Sequence, residues 1–223
     1  MLLVGSFLTS AKAQMLTAEN TLLMLSTGSQ LTVKGDVLLK AGTTITSNGT
    51  IDLIGNWINN CGTPAFTNSS GTVIMNGFNQ YIGGFSPTVF FNLNLFNGTK
   101  TLLVNSTSGG HISSPIGSLN CNNAILNLKS HVFRINNFNP TGITRTTGYI
   151  LGEDADYSSK VWWAFLAQGL HTIPFGNAAG ADISFSLLLV GTTGGYTSDM
   201  IVSTYATAPN NTPLPITPLW LRM

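Results

Sequence analysis

Residues 70–104 read SGTVIMNGFNQYIGGFSPTVFFNLNLFNGTKTLLV, a stretch of short β-patterned runs with two Asn-Gly pairs and almost no charge. Apolar and polar residues alternate over 89–95. Successive side chains of a strand point to opposite faces, so the alternation predicts Val89, Phe91, Leu93 and Leu95 on a buried face, with Phe90, Asn92 and Asn94 opposite. Each run buries one row of side chains and then turns. One such unit cannot close a core, and the flanking sequence uses the same vocabulary, so many units must stack.

The chain has 223 residues, enough for one large β domain or two modest ones. Charged residues make up 8% of it, against about a quarter in ordinary globular proteins. Asn, Thr, Ser and Gly take their place; 18 of the 22 Asn fall between Asn48 and Asn139. A neutral polar surface of this kind suits an extracellular β protein whose turns need Asn and Gly. With 43% apolar residues the chain does not read as disordered. Formal net charge is +1 and no basic patch is visible, which argues against nucleic acid as a partner.

Residues 1–13 have the pattern of an export-signal tail. Leu2, Leu3, Val4, Phe7 and Leu8 form a short apolar region, and Ala11-Lys12-Ala13 before Gln14 fits an A-x-A cleavage site. The positive n-region is missing, so the true start is expected upstream. No later stretch has the ~18–20 consecutive apolar residues of a membrane-spanning helix, and the expected location is secreted or cell-surface. Leu16, Leu22, Leu23 and Leu25 suit a capping helix or a first strand. From Gln30 the β pattern runs through LTVKGDVLL and TTITSNGTIDLIGNW, with further strands predicted at 102–104, 124–128 and 132–135. Asn-Gly recurs at 48–49, 76–77 and 97–98, and both residue types tolerate the positive φ of tight turns.

Two architectures fit residues 14–140. Asn-Gly between alternating apolar residues signals β-hairpins and hence an antiparallel meander. Many short segments repeating loosely at about 20 residues signal a parallel β-helix. At about 4.8 Å per coil, some six coils would make a rod about 30 Å long. Asparagines at its turns would stack on those of the next coil.

The order of motifs bears on the choice through a resemblance. Asn56-Trp57, Asn59-Asn60, Phe66, SGTVIMNG over 70–77, Gln80 to Gly84 and FFNLNLFN over 90–97 follow one another. Downstream come Ile143 to Ile150, Gly152-Glu153, Trp162-Trp163 and HTIPFG over 171–176. Over about 170 residues, 35–205, this order resembles the repetitive surface proteins of gliding bacteria that are exported by the type IX route. The resemblance implies an all-β protein of adhesin type: a parallel β-solenoid followed by a small antiparallel β-sandwich-like module over 141–208. Predicted strands at 147–151, 160–165, 170–175, 183–190 and 199–205 fit that module. Residues 209–223 read as a Pro-rich linker. Family members continue from a similar PLPI into a further β domain and a sorting domain, so domains are expected beyond Met223.

Chemistry-bearing residues are sparse. A β-helix enzyme acting on carbohydrate, as polysaccharide lyase or glycosidase, needs paired carboxylates, and between Gly28 and Pro140 only Asp36 and Asp52 are acidic. Both read as solvated strand residues, so no catalytic residue is assigned. His111, His131 and His171 are scattered without metal-ligand spacing and read as hydrogen-bonded histidines. Glu153, Asp154 and Asp156 place three carboxylates in four residues, a candidate structural calcium site or a solvated turn. No other cofactor is expected. Trp162 and Trp163 are adjacent and must face opposite sides of a strand; an exposed one would stack on a glycan, whereas packing between modules would bury it. Cys61 and Cys121 either bridge distant coils, since export permits a disulfide, or remain buried thiols. The expected function is that of a non-enzymatic structural or adhesive module contacting surface glycans or polymers.

Overall fold

The computed structural model describes residues 10–67, 70–110, 116–154, 156–164, 166–190 and 199–204. Residues 1–9 of the expected leader 1–13, His111 and the Pro-rich 209–223 lie outside the described residues.

Short runs ended by Gly, Asn and Ser cannot form long strands, and the chain winds instead, giving each of three faces one strand per coil. The first coil holds β1 (Ser10–Ala13), β2 (Leu16–Ala18) and β3 (Leu22–Leu25), and the second β4 (Gln30–Val33), β5 (Val37–Leu39) and β6 (Thr44–Ser47). The third holds β7 (Thr50–Leu53), β8 (Trp57–Asn59) and Phe66, a single bridging residue paired with Ile45. The fourth comprises β9 (Thr72–Met75), β10 (Asn79–Gly83) and β11 (Thr88–Val89), and the fifth β12 (Asn92–Leu95), β13 (Thr99–Leu102) and β14 (Ser106–Ser108). The sixth comprises β15 (Leu119–Asn120), β16 (Ile125–Asn127) and β17 (Val132–Ile135), and the last β18 (Ile143–Thr144), β19 (Tyr149–Leu151) and β20 (Lys160–Trp163).

Face 1 is the sheet β1-β4-β7-β9-β12-β15-β18, and face 2 is β2-β5-β8-β10-β13-β16-β19. Face 3 begins with β3-β6 and Phe66 and continues as β11-β14-β17-β20. Every pairing among these strands is parallel, and the result is a β-solenoid of about six turns. No Asn-Gly pair makes a hairpin. Only Asn97 and Gly98 use positive φ, at 60° and 55°. Gly77 is required by stacking instead, since a Cβ there would stand 2.0 Å from the Ile54 carbonyl oxygen of the coil before.

Parallel stacking continues past the expected boundary at 140, through β18 and β19 to β20. Residues 147–151 and 160–163 therefore belong to the last coil. Short strands between turn-rich gaps look alike in a solenoid and in a sandwich, and only pairing separates them. Antiparallel strand pairing among the described residues is confined to β21 (Gly169–Ile173) with β22 (Phe185–Leu189) and β20 with β23 (Met200–Val202).

The interior consists of columns of stacked side chains. Ile51, Val73, Leu93 and Leu119 occupy one register position of face 1, and Val33, Leu53, Met75 and Leu95 the next. The Trp57 ring stacks on Phe66 and meets the edge of Phe90, both at 5.4 Å between centroids, and its Nε1 donates to Thr88 Oγ1 at 3.0 Å. Leu93 and Leu95 are buried and Asn92 and Asn94 point outward, as the alternation predicts. Val89 and Phe91 are not buried; Thr88 and Phe90 are. The corner between β11 and β12 places Phe91 and Asn92 outward in succession, so the alternation changes phase there.

On face 3 the sixth coil meets β20 of the last. Ile135 pairs with Trp163 and Arg134 with Trp162. Trp163 is fully buried and its Nε1 donates to the Asn137 carbonyl at 2.6 Å.

Candidate functional site

Polar ladders hold the coils in register at the corners. Asn56 donates from its backbone N and its Nδ2 to Asp36 Oδ1 at 2.7 and 2.9 Å, and its own Oδ1 accepts from Tyr81 N at 2.9 Å. Asn97 Nδ2 donates to Asn76 Oδ1 at 3.0 Å, and Asn97 N to Asn123 Oδ1 at 3.0 Å. The expected stacking of turn asparagines is thus present. It gives Asp36 a structural task.

Asp52 stands on face 1 between Thr32 and Ile74. Burial pushes its carboxyl above the usual range, and its Oδ1 is buried without a hydrogen-bond partner. Asp36 and Asp52 thus stand in different surroundings, one held by the corner ladder and the other on face 1.

Of the three carboxylates of the 153–156 turn, Asp154 and Asp156 share the Ser158 hydroxyl and Glu153 is directed elsewhere. Asp154 Oδ2 accepts from Ser130 N at 3.1 Å and from the hydroxyls of Ser130, Ser158 and Ser159. Burial pushes the Asp154 carboxyl up, but these hydroxyls outweigh it and hold the group below its ordinary range. Glu153 Oε2 accepts from Ala178 N at 2.9 Å, and Asp156 Oδ1 from Ser158 Oγ at 2.7 Å. Calcium would have to displace this hydroxyl nest. Among the described residues no three His, Cys, Asp or Glu side chains cluster as metal ligands.

Of the tryptophans, Trp163 is sealed in the core with the His171 ring edge-on at 4.7 Å. Trp162 is half-buried, covered by the Arg134 guanidinium 4.3 Å from its centroid, and its Nε1 donates to Asp199 Oδ2 at 2.9 Å. Trp163 offers no uncovered ring, and Trp162 has one face taken by Arg134. His171 is buried, bonds through Nε2 to the Ala167 carbonyl at 2.8 Å, and leaves Nδ1 without a partner. Burial holds it below the ordinary histidine range. His131 is half-buried at the start of β17.

Cys61 and Cys121 are both free and buried, so the bridge is not formed. Cys61 follows β8 on the corner between faces 2 and 3, whereas Cys121 follows β15 between faces 1 and 2. The coil advance varies from Gln30↔Thr50 to Leu93↔Leu119, so a separation of 60 residues does not return to the same corner.

Lys100 was not singled out by any sequence pattern. It points inward from β13 between Gln80 and Leu126, fully buried, and its Nζ donates to the carbonyls of Gly77 and Asn97. Burial lowers it from 10.5 to about 8. Its inward direction leaves face 2 neutral outside: Thr17, Leu38, Ile58, Tyr81, Thr99, Thr101, Ile125, Asn127 and Tyr149 face outward there.

These features define a parallel β-solenoid in which the strands of face 2 carry no outward charge. Comparison with family models, with curated proteins and with solved structures finds no match for the chain. No helix among the described residues is long and apolar enough to cross a membrane.

Proposed function

We propose that the chain is a non-enzymatic structural and adhesive module of an exported surface protein, contacting uncharged glycans or related polymers through face 2. The observation that carries this reading is the absence of any outward charged side chain on the seven strands of that face. A side of this kind repeats hydroxyl, amide and apolar groups at about 4.8 Å per coil. It suits a long neutral polymer that gains affinity from many weak contacts. The export-signal pattern, the neutral composition and the resemblance of 35–205 to type IX surface proteins support placement outside the cell. The antiparallel strands β21 to β23 are in this reading the start of the sandwich-like module that extends the rod.

A carbohydrate-active enzyme on the same scaffold would need two carboxylates roughly 5–9.5 Å apart with free oxygens. The ladder on Asp36 and the hydroxyl nest on Asp154 oppose it. The test is affinity electrophoresis through gels containing neutral polysaccharides, with solution viscosity followed in parallel. Retarded migration at constant viscosity is expected. Falling viscosity would make the protein an enzyme, and unretarded migration in every neutral polymer would refute the adhesive reading.

A further inference from the structure

One side chain on face 2 is arranged as a stacking surface. In the outward column that contains Ile58, β10 carries Gly83, and Leu103 Cβ lies 3.4 Å from where a Gly83 Cβ would stand. The Tyr81 ring occupies the gap, with Cδ2 and Cε2 at 3.1 and 3.3 Å from that point. A ring over a strand glycine lies along the sheet instead of projecting from it. Tyr81 is accordingly half-buried, with its Cδ2 and Cε2 atoms toward Gly83. Its backbone N is fixed by the Asn56 ladder. Tyr149, on the same face, is different, because the Gly176 backbone packs on its ring.

Tyr81 is in register with Thr101 of the next coil and Asn127 of the one after. A hydroxyl and an amide thus follow the ring along the axis at about 4.8 and 9.6 Å. A sugar ring has an apolar C–H face and a rim of hydroxyls. The first matches the face of an aromatic ring, and the second matches the Thr101 hydroxyl, which donates and accepts, and the Asn127 Nδ2, which donates while its Oδ1 accepts from Lys129 N at 3.1 Å. The coil spacing is close to the advance of one sugar in an extended chain.

We propose that Tyr81 is the stacking platform for one sugar of an uncharged, extended polysaccharide lying along the solenoid axis, with Thr101 and Asn127 engaging the sugars that follow. The site rests on the glycan-contact reading above and specifies it. A charged polymer is excluded as the occupant because no outward side chain on the strands of this face carries the opposite charge.

The experiment measures retardation by hydroxyethylcellulose and mixed-linkage glucan as neutral probes and by polygalacturonate as a charged one. Wild type, Tyr81→Ala, Tyr81→Phe and Gly83→Val are compared after their melting temperatures have been matched. Tyr81→Ala is expected to weaken neutral-polymer binding by about tenfold or more. Tyr81→Phe keeps the ring and should stay within about threefold, the worth of one exposed hydroxyl. Gly83→Val lifts the ring from the sheet and should act like Tyr81→Ala, so it serves if the alanine variant does not fold. Wild-type-like binding by Tyr81→Ala or Gly83→Val overturns the platform and leaves the adhesive reading standing. Binding of polygalacturonate alone also overturns the platform, and binding of no polymer overturns both.

Discussion

Replacing Lys100 by methionine should change the pH dependence of stability in a defined way. Lys100 is fully buried with two carbonyl acceptors and no carboxylate hydrogen-bonded to it, and burial lowers it from 10.5 to about 8. Below pH 8 it is protonated in both folded and unfolded chains, and the fold bears the full penalty of about 3 kcal/mol. Between pH 8 and 10.5 the unfolded chain holds more protons than the folded one, so stability rises with pH. Cys121 acts in the opposite sense. Burial pushes its thiol up from 9.0 to about 12, with Arg145 opposing in part, so the folded chain keeps a proton that the unfolded chain has lost. Stability therefore falls above pH 9. Lys100 is half-titrated at pH 8, and the unfolded thiols begin to lose protons before pH 9. The slopes together predict a rise of less than about 1 kcal/mol between pH 8 and 9, no further rise above pH 9, where the raised thiols of Cys121 and Cys61 oppose it, and a fall beyond about 10.5. Urea denaturation followed by tryptophan fluorescence at pH 7, 8, 9, 10 and 11 reads this profile. Lys100→Met should abolish the rise and leave the fall. An identical rise in the variant, or a wild-type stability that falls from pH 8 to 9, would refute the assignment.

Other positions give separate tests. Phe90→Ala should cost about 3–5 kcal/mol, because it opens the Trp57–Phe66–Phe90 cluster, and outward Phe91→Ala should cost clearly less in the same urea titration. Asn97→Ala should cost about 1–3 kcal/mol by breaking the Asn76–Asn97–Asn123 ladder and placing a Cβ residue at φ 60°, while Asn97→Gly relieves the backbone part of that loss. Burial lowers His171, so the unfolded chain, protonating near 6.5, takes up a proton before the folded one; stability should fall as pH drops below 6.5, and His171→Phe should flatten that fall in thermal melts at pH 5 to 7.

Much of the fold is legible because strand alternation and coil repetition are both written in residue type. Leu93 and Leu95 alternate with asparagines, and their burial follows directly. Phe90 and Phe91 are opaque because a corner resets the phase, and two adjacent phenylalanines do not say where the corner lies. The last coil was read as part of a sandwich because strand length and turn content are the same in either architecture. Parallel and antiparallel pairing differ only in partners far away in the chain. Of the two alternatives for Cys61 and Cys121, buried thiols hold, because the coil length is not constant and 60 residues do not return to one corner. At the candidate site, tryptophan drew attention by size, but Trp163 is the best-buried ring of the last coil and Trp162 is spent on Arg134 and Asp199. The usable signal was an aromatic two residues before a glycine inside one strand, Tyr81 and Gly83. Lys100 gave no signal, since an inward lysine in a Thr-Lys-Thr run looks like a solvated one until the register is known.

The solenoid itself is tested most directly by one distance. Thr32 is in register with Asp52, Ile74, Asn94, Asn120 and Thr144 in turn, one step per coil. Spin labels on cysteines introduced at Thr32 and Thr144, with the buried Cys61 and Cys121 left unlabelled, should report by pulsed dipolar spectroscopy a backbone separation near five coil steps, about 24 Å. A meander of sequential antiparallel strands would place the same two positions many more strands apart. A distribution centred beyond about 40 Å would contradict the parallel solenoid, since that exceeds eight strand spacings.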